Sequence, residues 1–446
     1  MNIKVGLISL GCPKNQVDAE TMLAGLSSAG FGITKDAGLA DVVIINTCGF
    51  IEDAKKESIE NILEMAQLKK EGTIKGIVVT GCLAERYYKE MQQEFPEVNC
   101  ILTVGRAGDI EQAVRAAFDG GSLFLDGKPE QLELGGKRVV TTLPFFAYLK
   151  IAEGCDNCCS YCVIPKLRGR FRSRPMEDIL DEARRLVGGG VRELTLVAQD
   201  TTRYGEDLYG RMMLPGLLRE LCKIEKLEWI RLLYCYPDKV TDELIDTIAD
   251  EPKIAKYIDL PIQHVSTRIV RQMNRRDDRA KLETLIGRLR EKIPGLTLRT
   301  TLIVGFPGET QEEFAELIEF VKQIRFERLG AFAYSREDGT PAAEMDGQIE
   351  EELKLRRQEI VMEEQSRIND ELNQKMVGGA VKVLIEGFDR YAECYFGRSE
   401  ADAPDIDGKI FVQSKQKLEP GTFQMVRISG VMDFDLLGEV VSESNQ

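Results

Sequence analysis

The chain has 446 residues, of which 43% are hydrophobic and 30% charged, and its formal net charge is −15 at pH 7. The length predicts three domains of roughly 150 residues each, and the acidic balance favours a basic partner over non-specific binding to nucleic acid. Because no apolar run reaches the roughly 18 residues of a membrane span and the N-terminus lacks a secretory signal pattern, we expect a cytosolic protein without membrane contact.

Eleven cysteines and a single histidine, His264, restrict the metal chemistry that the chain could support. Thiols stay reduced in the cytosol, which argues against a disulfide framework and makes metal or cluster ligation the main question. One histidine also excludes histidine-rich metal sites and catalysis by several imidazoles. Cysteine must therefore carry any metal chemistry.

Residues 1–118 alternate short apolar segments with helical patterns, which predicts an α/β domain with a parallel sheet covered by helices on both faces. The expected elements are strand 4–10, helix 18–29, strand 42–46, helix 54–68, strand 77–80, an apolar loop and strand at 98–104, and helix 110–118. Cys12, Cys48 and Cys82 each follow one of the first three strands, and each has a glycine beside it.

The carboxyl ends of parallel strands meet at one edge of a sheet, so we expect the thiols of Cys12, Cys48 and Cys82 to converge there. A single cysteine in such a position would be interpreted as a small buried apolar residue. Three cysteines at equivalent strand ends instead predict the ligands of a cluster.

A glycine-rich and charged segment, residues 119–142, is predicted to be a linker, and residues 143–376 contain six further strands separated by helical stretches. The strands are expected at 147–152, 193–198, 229–234, 257–260, 298–304 and 329–334. Six β/α units predict a partial (β/α)6 barrel, and barrel enzymes carry their sites on the loops that follow the strands.

The loop after the first of these strands contains Cys155, Cys159 and Cys162 in a CxxxCxxC pattern. A zinc site would need a fourth ligand at a matching spacing, whereas three thiolates on a four-iron cluster leave one iron open to another ligand. Cys158 could pair with Cys155 or with Cys162 instead. Only the register 155, 159 and 162 completes the pattern.

The final segment, residues 377–446, is predicted to form a small antiparallel β-barrel from short strands with turn residues between them. The strands are expected at 381–386, 391–396, 410–413, 424–429 and 437–441. This segment carries 7 Lys+Arg against 12 Asp+Glu, a net charge of −5. Such a charge suits a basic protein better than nucleic-acid phosphates.

The pattern CxxxCxxC with Tyr161 before its last cysteine resembles the signature of radical S-adenosylmethionine enzymes. The resemblance implies that the open iron binds S-adenosylmethionine and that an electron from the cluster cleaves it to a 5′-deoxyadenosyl radical. Gly188 and Gly189 precede the second barrel strand and resemble the glycine motif that contacts the cofactor's amino group, although glycines there also stop a helix. The other residues expected to line the cofactor pocket are Gln199, Gln263, Thr301 and Ile303.

Among radical S-adenosylmethionine enzymes, a chain with three cysteines in a preceding α/β domain most resembles the methylthiotransferases. That family carries a second 4Fe-4S cluster in this domain. Residues 11–15 (GCPKN), 46–50 (NTCGF) and 81–82 (GC) are similar to the motifs of that cluster. Residues 304–310 (VGFPGET) resemble the radical core, and the last domain looks like the TRAM domain.

Within that family, residues 259–264 (DLPIQH), together with 397–399 (GRS) and 402–408 (DAPDIDG), resemble the branch that modifies an aspartate of the twelfth protein of the small ribosomal subunit. The resemblance implies that one S-adenosylmethionine methylates sulfur at the N-terminal cluster and that another yields the radical, with an external electron donor. That radical takes hydrogen from the aspartate β-carbon. Modification of tRNA is the alternative, and a non-catalytic iron–sulfur redox protein is a third interpretation.

Overall fold

A computed structural model of the chain describes residues 3–441, so the predicted domain ends at residues 1–2 and 442–446 lie outside the described residues. Three sheets account for most of its strands: a six-stranded parallel sheet, a second six-stranded parallel sheet and a closed five-stranded barrel. This order confirms the predicted fold class. Within residues 3–441, no helix combines the length and the apolar character that a membrane crossing requires.

The first sheet has the order β2-β1-β3-β4-β5-β6, and all of its neighbouring strands are parallel. Separate apolar clusters cover its two faces, as predicted. Its elements are β1 (Lys4–Ser9), α1 (Pro13–Ser28), β2 (Gly32–Thr34), β3 (Val42–Thr47), α2 (Glu52–Lys70), β4 (Gly76–Gly81), α3 (Cys82–Arg86), α4 (Tyr88–Glu94), β5 (Cys100–Leu102), α5 (Ile110–Phe118) and β6 (Leu123–Leu125).

Two strands of this sheet, β2 and β6, were not predicted, because three residues are too short to show an alternating pattern. The strand β6 pairs with β5 and lies inside residues 119–142, so the first sheet extends into the segment that was predicted to be a linker. The domain boundaries themselves stay a prediction.

The second sheet contains six parallel strands whose spatial order follows the chain, from β7 at one edge to β14 at the other. An open sheet of six β/α units is the predicted partial barrel. The elements of residues 146–376 are β7 (Phe146–Lys150), β8 (Ala152–Glu153), α6 (Ile164–Arg168), β9 (Arg172–Ser173), α7 (Met176–Gly188), β10 (Glu193–Val197), α8 (Glu206–Tyr209), α9 (Leu214–Cys222), β11 (Trp229–Leu232), α10 (Asp242–Asp250), β12 (Ile254–Asp259), α11 (Thr267–Gln272), α12 (Arg279–Lys292), β13 (Thr297–Val304), α13 (Gln311–Ile324), β14 (Arg328–Ala333) and α14 (Glu351–Met376). Of these strands, β8 and β9 form a separate two-stranded sheet.

The terminal barrel closes in the order β15-β16-β17-β19-β18. Its pairs are antiparallel except for β17 with β19, which are parallel. An odd number of strands cannot alternate in direction all the way around a closed barrel, so one parallel pair is unavoidable. The strands are β15 (Ala380–Asp389), β16 (Cys394–Ser399), β17 (Ile410–Gln413), β18 (Phe423–Met432) and β19 (Asp435–Val440).

The acidic loop at residues 402–408 belongs to the terminal domain and lies against the central partial barrel. Asp402 accepts a hydrogen bond from Arg328 at 2.6 Å, and Asp407 accepts one from the Tyr257 hydroxyl at 2.6 Å. Asp402 is buried, and the side chain of Asp407 is only 4% exposed. Part of the net charge of the terminal domain therefore stabilises the contact between domains, and a charge count alone overstates the acidity available to a partner.

A buried carboxylate at the start of β10 holds the same two domains together. Glu193 is fully buried and pairs with Arg231 of the barrel and with Arg398 of the terminal domain, each at 2.8 Å. The only tryptophan of the chain, Trp229, packs edge-on against Phe423 of the terminal barrel with ring centroids 4.8 Å apart. Fluorescence of this tryptophan will therefore report on the interface.

We expect Glu193→Gln to lower the stability of this interface by about 3–5 kcal/mol, because it leaves two buried guanidinium groups without their shared carboxylate. The measurement is the urea midpoint of Trp229 fluorescence. Glu228→Gln is the matched control, since its pair with Lys382 crosses the same interface at 2.9 Å but is largely exposed. A surface pair of this kind contributes at most about 1 kcal/mol. Equal midpoints for the two variants would contradict the assignment.

Candidate cluster and cofactor site

Cys155, Cys159 and Cys162 lie on one loop between β8 and α6, beyond the carboxyl end of β7. The backbone N–H of Cys155 donates to the Gly169 carbonyl at 3.1 Å, and that of Cys162 donates to the Cys159 carbonyl at 3.0 Å. The Tyr236 hydroxyl lies 3.0 Å from the Cys159 sulfur. The loop is thus held in a tight turn that gathers its three thiols.

The glycine before this loop has a specific structural role. Gly154 has a φ of 78°, and a Cβ at this position would lie 2.1 Å from the Arg170 carbonyl oxygen. A side chain would therefore push apart the strands β8 and β9, whose antiparallel pairing closes the base of the loop.

Charge in this loop disfavours three free thiolates. Burial and, to a lesser extent, neighbouring Cys159 together raise the pKa of Cys155 to about 12. The pKa of Cys162 is raised in the same way, first by burial and then by Cys159. Iron cations supply the positive charge that three adjacent thiolates need, so these cysteines fit a cluster.

Cys158 is separated from the other thiols of the loop. It is exposed, and its backbone is left-handed with a φ of 51°. Its carbonyl accepts a hydrogen bond from the Asn274 amide at 2.9 Å. The exposure of Cys158 supports the predicted register of 155, 159 and 162 over the two alternatives.

The other three cysteines converge at the carboxyl edge of the first sheet, where Cys12 follows β1, Cys48 follows β3 and Cys82 opens α3. A Cβ on Gly11 would lie 2.8 Å from the Cys48 sulfur, so only glycine permits this approach. Burial, followed by the nearby thiols of Cys82 and Cys12, raises the pKa of Cys48 to about 12. The three thiols are therefore close enough to sense one another's charge.

Neither cysteine triad is arranged for a single metal ion. Within residues 3–441, no group of three or more His, Cys, Asp or Glu side chains is arranged to hold one. In a four-iron cluster each cysteine binds a different iron, so its thiolates stand farther apart than the ligands of one ion. Two triads of cysteines at two sheet edges fit two clusters.

Four of the residues predicted to line the cofactor pocket come together around β13. Tyr161 and Ile303 pack against the same apolar cluster. Gln263 has a left-handed backbone with a φ of 70°, donates its N–H to the Thr301 carbonyl at 2.9 Å and accepts from the Ile303 N–H at 2.8 Å. This pairing adds Gln263 to the edge of the sheet beside the cysteine loop.

Two amide oxygens near this pocket are buried without a hydrogen-bond partner in the described part of the chain, those of Gln263 and Gln199. The Gln199 amide nitrogen donates to Glu153, two residues before Cys155. A buried acceptor without a donor costs about 1–3 kcal/mol, so a ligand with N–H groups would relieve both. The pocket therefore fits a cofactor that carries an amino group, as S-adenosylmethionine does.

The predicted contact of Gly188 and Gly189 with the cofactor is not supported by their position. They end α7, where the Gly189 N–H donates to the Arg185 carbonyl at 3.0 Å, and both are exposed. They precede β10, and residues before a parallel strand lie at the opposite end of the barrel from residues that follow it. Gln199 and Asp200 are the residues after β10 and occupy the end where the cysteines lie.

His264 belongs to the core rather than to an exposed recognition surface. It is fully buried, and its Nδ1 accepts the Ser266 N–H at 3.0 Å. Burial lowers the pKa of His264 to about 4, so the ring is neutral near pH 7. The pKa of nearby Glu309 is instead raised to about 7, because the effect of burial exceeds the opposing effect of Arg357.

A buried ionic network that no sequence pattern indicated lies between the two triads. Arg168 of α6 donates to the Cys82 sulfur at 3.3 Å and to the Asn15 side chain at 2.9 Å, and it pairs with Asp18. Lys150 pairs with Asp18 and with Glu153. The partners of Arg168 are up to 153 positions away along the chain, so no local pattern could have revealed them.

Three known families match successive parts of the chain. Residues 4–103 match a family described as Uncharacterized protein family UPF0004, residues 149–321 match the Radical SAM superfamily, and residues 377–441 match the TRAM domain.

Full-length relatives carry a more specific name. The chain is 53% identical over 436 residues to "Ribosomal protein uS12 methylthiotransferase RimO" of Caldanaerobacter subterraneus subsp. tengcongensis, covering 98% of this chain and 99% of that protein. It is 52% identical to the protein of the same name from Pelotomaculum thermopropionicum, covering 99% and 100%. For Geobacter sulfurreducens the identity is 47%, covering 98% and 99%.

Among solved structures, the chain resembles a radical S-adenosylmethionine methyltransferase, TsrM from Kitasatospora setae, with cobalamin and a [4Fe-4S] cluster bound. The TM-score is 0.56 at 15% identity, and the match covers 85% of this chain and 79% of that one. At such an identity the likeness concerns the fold alone.

We expect about eight irons per chain after anaerobic reconstitution and about four after Cys12, Cys48 and Cys82 are replaced by Ala, because each triad is predicted to hold one four-iron cluster. Iron and sulfide analysis provides the measurement. Replacement of Cys100, Cys222 and Cys235, which lie outside both triads, is the matched control and should leave about eight. An unchanged iron count in the first variant would exclude the cluster in the N-terminal domain.

Proposed function

The chain belongs to the ribosomal protein uS12 methylthiotransferases, and we propose that it transfers a methylthio group to the β-carbon of an aspartate in uS12. The observation that carries this proposal is the identity of about one half to relatives of that name along their full lengths. Two cysteine triads at adjoining strand edges supply the sites that such a reaction requires.

In this proposal, two 4Fe-4S clusters and S-adenosylmethionine supply the electron, the radical, the methyl group and the sulfur when they are bound. Cys155, Cys159 and Cys162 hold one cluster, and Cys12, Cys48 and Cys82 hold the other. The chain's own contribution is to orient these groups and to exclude water.

Orientation and shielding can be assigned to particular side chains. The unpaired amide oxygens of Gln199 and Gln263 would accept hydrogen bonds from the cofactor, while Tyr161 and Ile303 form an apolar wall beside it. Such a wall keeps water from a reactive radical. These residue roles remain proposals.

The two cluster sites would have to act on one substrate, and their packing supports this. Cys82 lies in one apolar cluster with Val163 and Leu167, which directly follow the cysteine loop of the barrel. The guanidinium of Arg168 donates to the Cys82 sulfur from the same helix. A short path therefore joins the two cysteine triads, and a substrate bound between them would meet both.

Two alternatives make different demands. A tRNA methylthiotransferase would need a basic surface for phosphates, whereas the terminal domain carries a net charge of −5. A non-catalytic redox protein would not cleave S-adenosylmethionine.

We further propose that an external reductant supplies the electron and that the protein acts in the cytosol, where ribosomal proteins are found.

In the decisive test, the reconstituted enzyme is incubated with uS12 in one reaction and with tRNA in another. The added methylthio mass and the 5′-deoxyadenosine formed are measured in each. We expect modification of uS12 alone. The variant without Cys155, Cys159 and Cys162 should form no 5′-deoxyadenosine, and the variant without Cys12, Cys48 and Cys82 should form it without methylthiolation. Modification confined to tRNA would overturn the proposal.

A further inference from the structure

Lys14 is a buried cation that no carboxylate neutralises. It lies on α1, two residues after Cys12, and is only 7% exposed. Its ammonium nitrogen lies 3.3 Å from the centroid of the Tyr234 ring. Across the part of the chain that the structure describes, no Asp or Glu oxygen forms an ion pair with it, whereas neighbouring Lys150 and Arg168 both pair with Asp18 and Glu153.

The ring beneath Lys14 is fixed to the barrel. Tyr234 follows β11, has a left-handed backbone with a φ of 60°, and donates its N–H to Asp259 at 2.9 Å. Its carbonyl accepts the Thr201 N–H at 3.0 Å. Thr201 follows Gln199 in the loop after β10. Lys14 therefore stands where the carboxyl edge of the first sheet meets the carboxyl ends of the barrel strands, which are the ends that the two cysteine triads follow.

Cys12 and Glu153 attract this ammonium without forming a direct ion pair with it within residues 3–441, so its burial is costly. Removing a charge from water costs several kcal/mol after relaxation, and a cation–π contact returns about 2 kcal/mol when it is desolvated. The balance favours an anion that arrives with the substrate. Asp18 and Glu153 lie close by, but each is already engaged by two cations.

We propose that Lys14 binds the side-chain carboxylate of the target aspartate of uS12 and so positions its β-carbon between the two cluster sites. The inference rests on the function proposed above. The carboxylate is bonded directly to the reacting carbon, so an ammonium between the triads would hold that carbon within reach of both. An adenine base offers no such charge, and Lys14 would therefore also select the class of substrate.

The test compares Lys14→Met, which keeps an apolar stem over Tyr234 without the charge, with Lys14→Arg, which keeps the charge. For Lys14→Met we expect kcat/KM for uS12 to fall about 100-fold, as when one partner of a buried ion pair is removed. Lys14→Arg should recover most of the loss. Iron content and formation of 5′-deoxyadenosine without uS12 should stay at wild-type levels.

A second readout is specific to the carboxylate. When the target Asp of uS12 is replaced by Asn, we expect kcat/KM of the wild-type enzyme to fall. With the same Asn substrate, we expect kcat/KM of Lys14→Met to be little lower than that of the wild-type enzyme, because both changes remove the same interaction. Lys75→Met is the matched control. Lys75 also lies over an aromatic ring, 4.0 Å from the Phe118 centroid, but pairs with Asp41 away from the triads. Its turnover should be unchanged.

Three results would overturn the inference. Normal turnover of uS12 by Lys14→Met would show that no carboxylate is bound there. Loss of iron, or of 5′-deoxyadenosine formation without uS12, would assign Lys14 to cluster binding. Independent effects of the Asn substitution and of Lys14→Met would exclude direct contact. Failure of the wild-type enzyme to modify uS12 at all would instead refute the proposed function, before any variant is compared.

Discussion

One buried guanidinium joins the first sheet to the barrel at the place where the two cysteine triads approach each other. Arg168 projects from the helix that follows the cysteine loop and reaches Cys82, Asn15 and Asp18 of the other domain. A buried cation is tolerated only where its donors are well placed, since burial removes its hydration. This requirement restricts how the two domains can be oriented, and the orientation brings two sets of thiols to one junction.

The ends of the barrel have separate tasks because all of its strands run in one direction. The carboxyl ends carry the cysteine loop, Gln199 and Gln263, and face the first sheet. Contacts nearer the amino ends, including Glu193 and Trp229 at the starts of their strands, bind the terminal barrel through ion pairs and aromatic packing. The terminal domain can therefore stabilise the barrel without obstructing the junction where the thiols meet.

Much of this arrangement could be predicted from local patterns. Alternating apolar segments predicted the six barrel strands, and the positions of Cys12, Cys48 and Cys82 after three parallel strands predicted their convergence, since such strand ends meet at one edge of a sheet. Gly188 and Gly189, which were predicted to contact the cofactor, stop α7 before β10, so their position does not support that contact. The three-residue strands β2 and β6 carried too little periodicity to be recognised.

The sequence by itself determined which atoms could bind iron, because ligand identity and spacing are properties of the chain, and it determined the order of the three domains. Only the tertiary structure decided which charges meet. Arg168 contacts Cys82, and the Lys14 ammonium lies over the Tyr234 ring. Asp402 and Asp407 of the terminal domain bind Arg328 and Tyr257. Each of these contacts joins residues that are distant in sequence. Burial and mutual distance set the energies of such groups, and both exist only once the domains have packed.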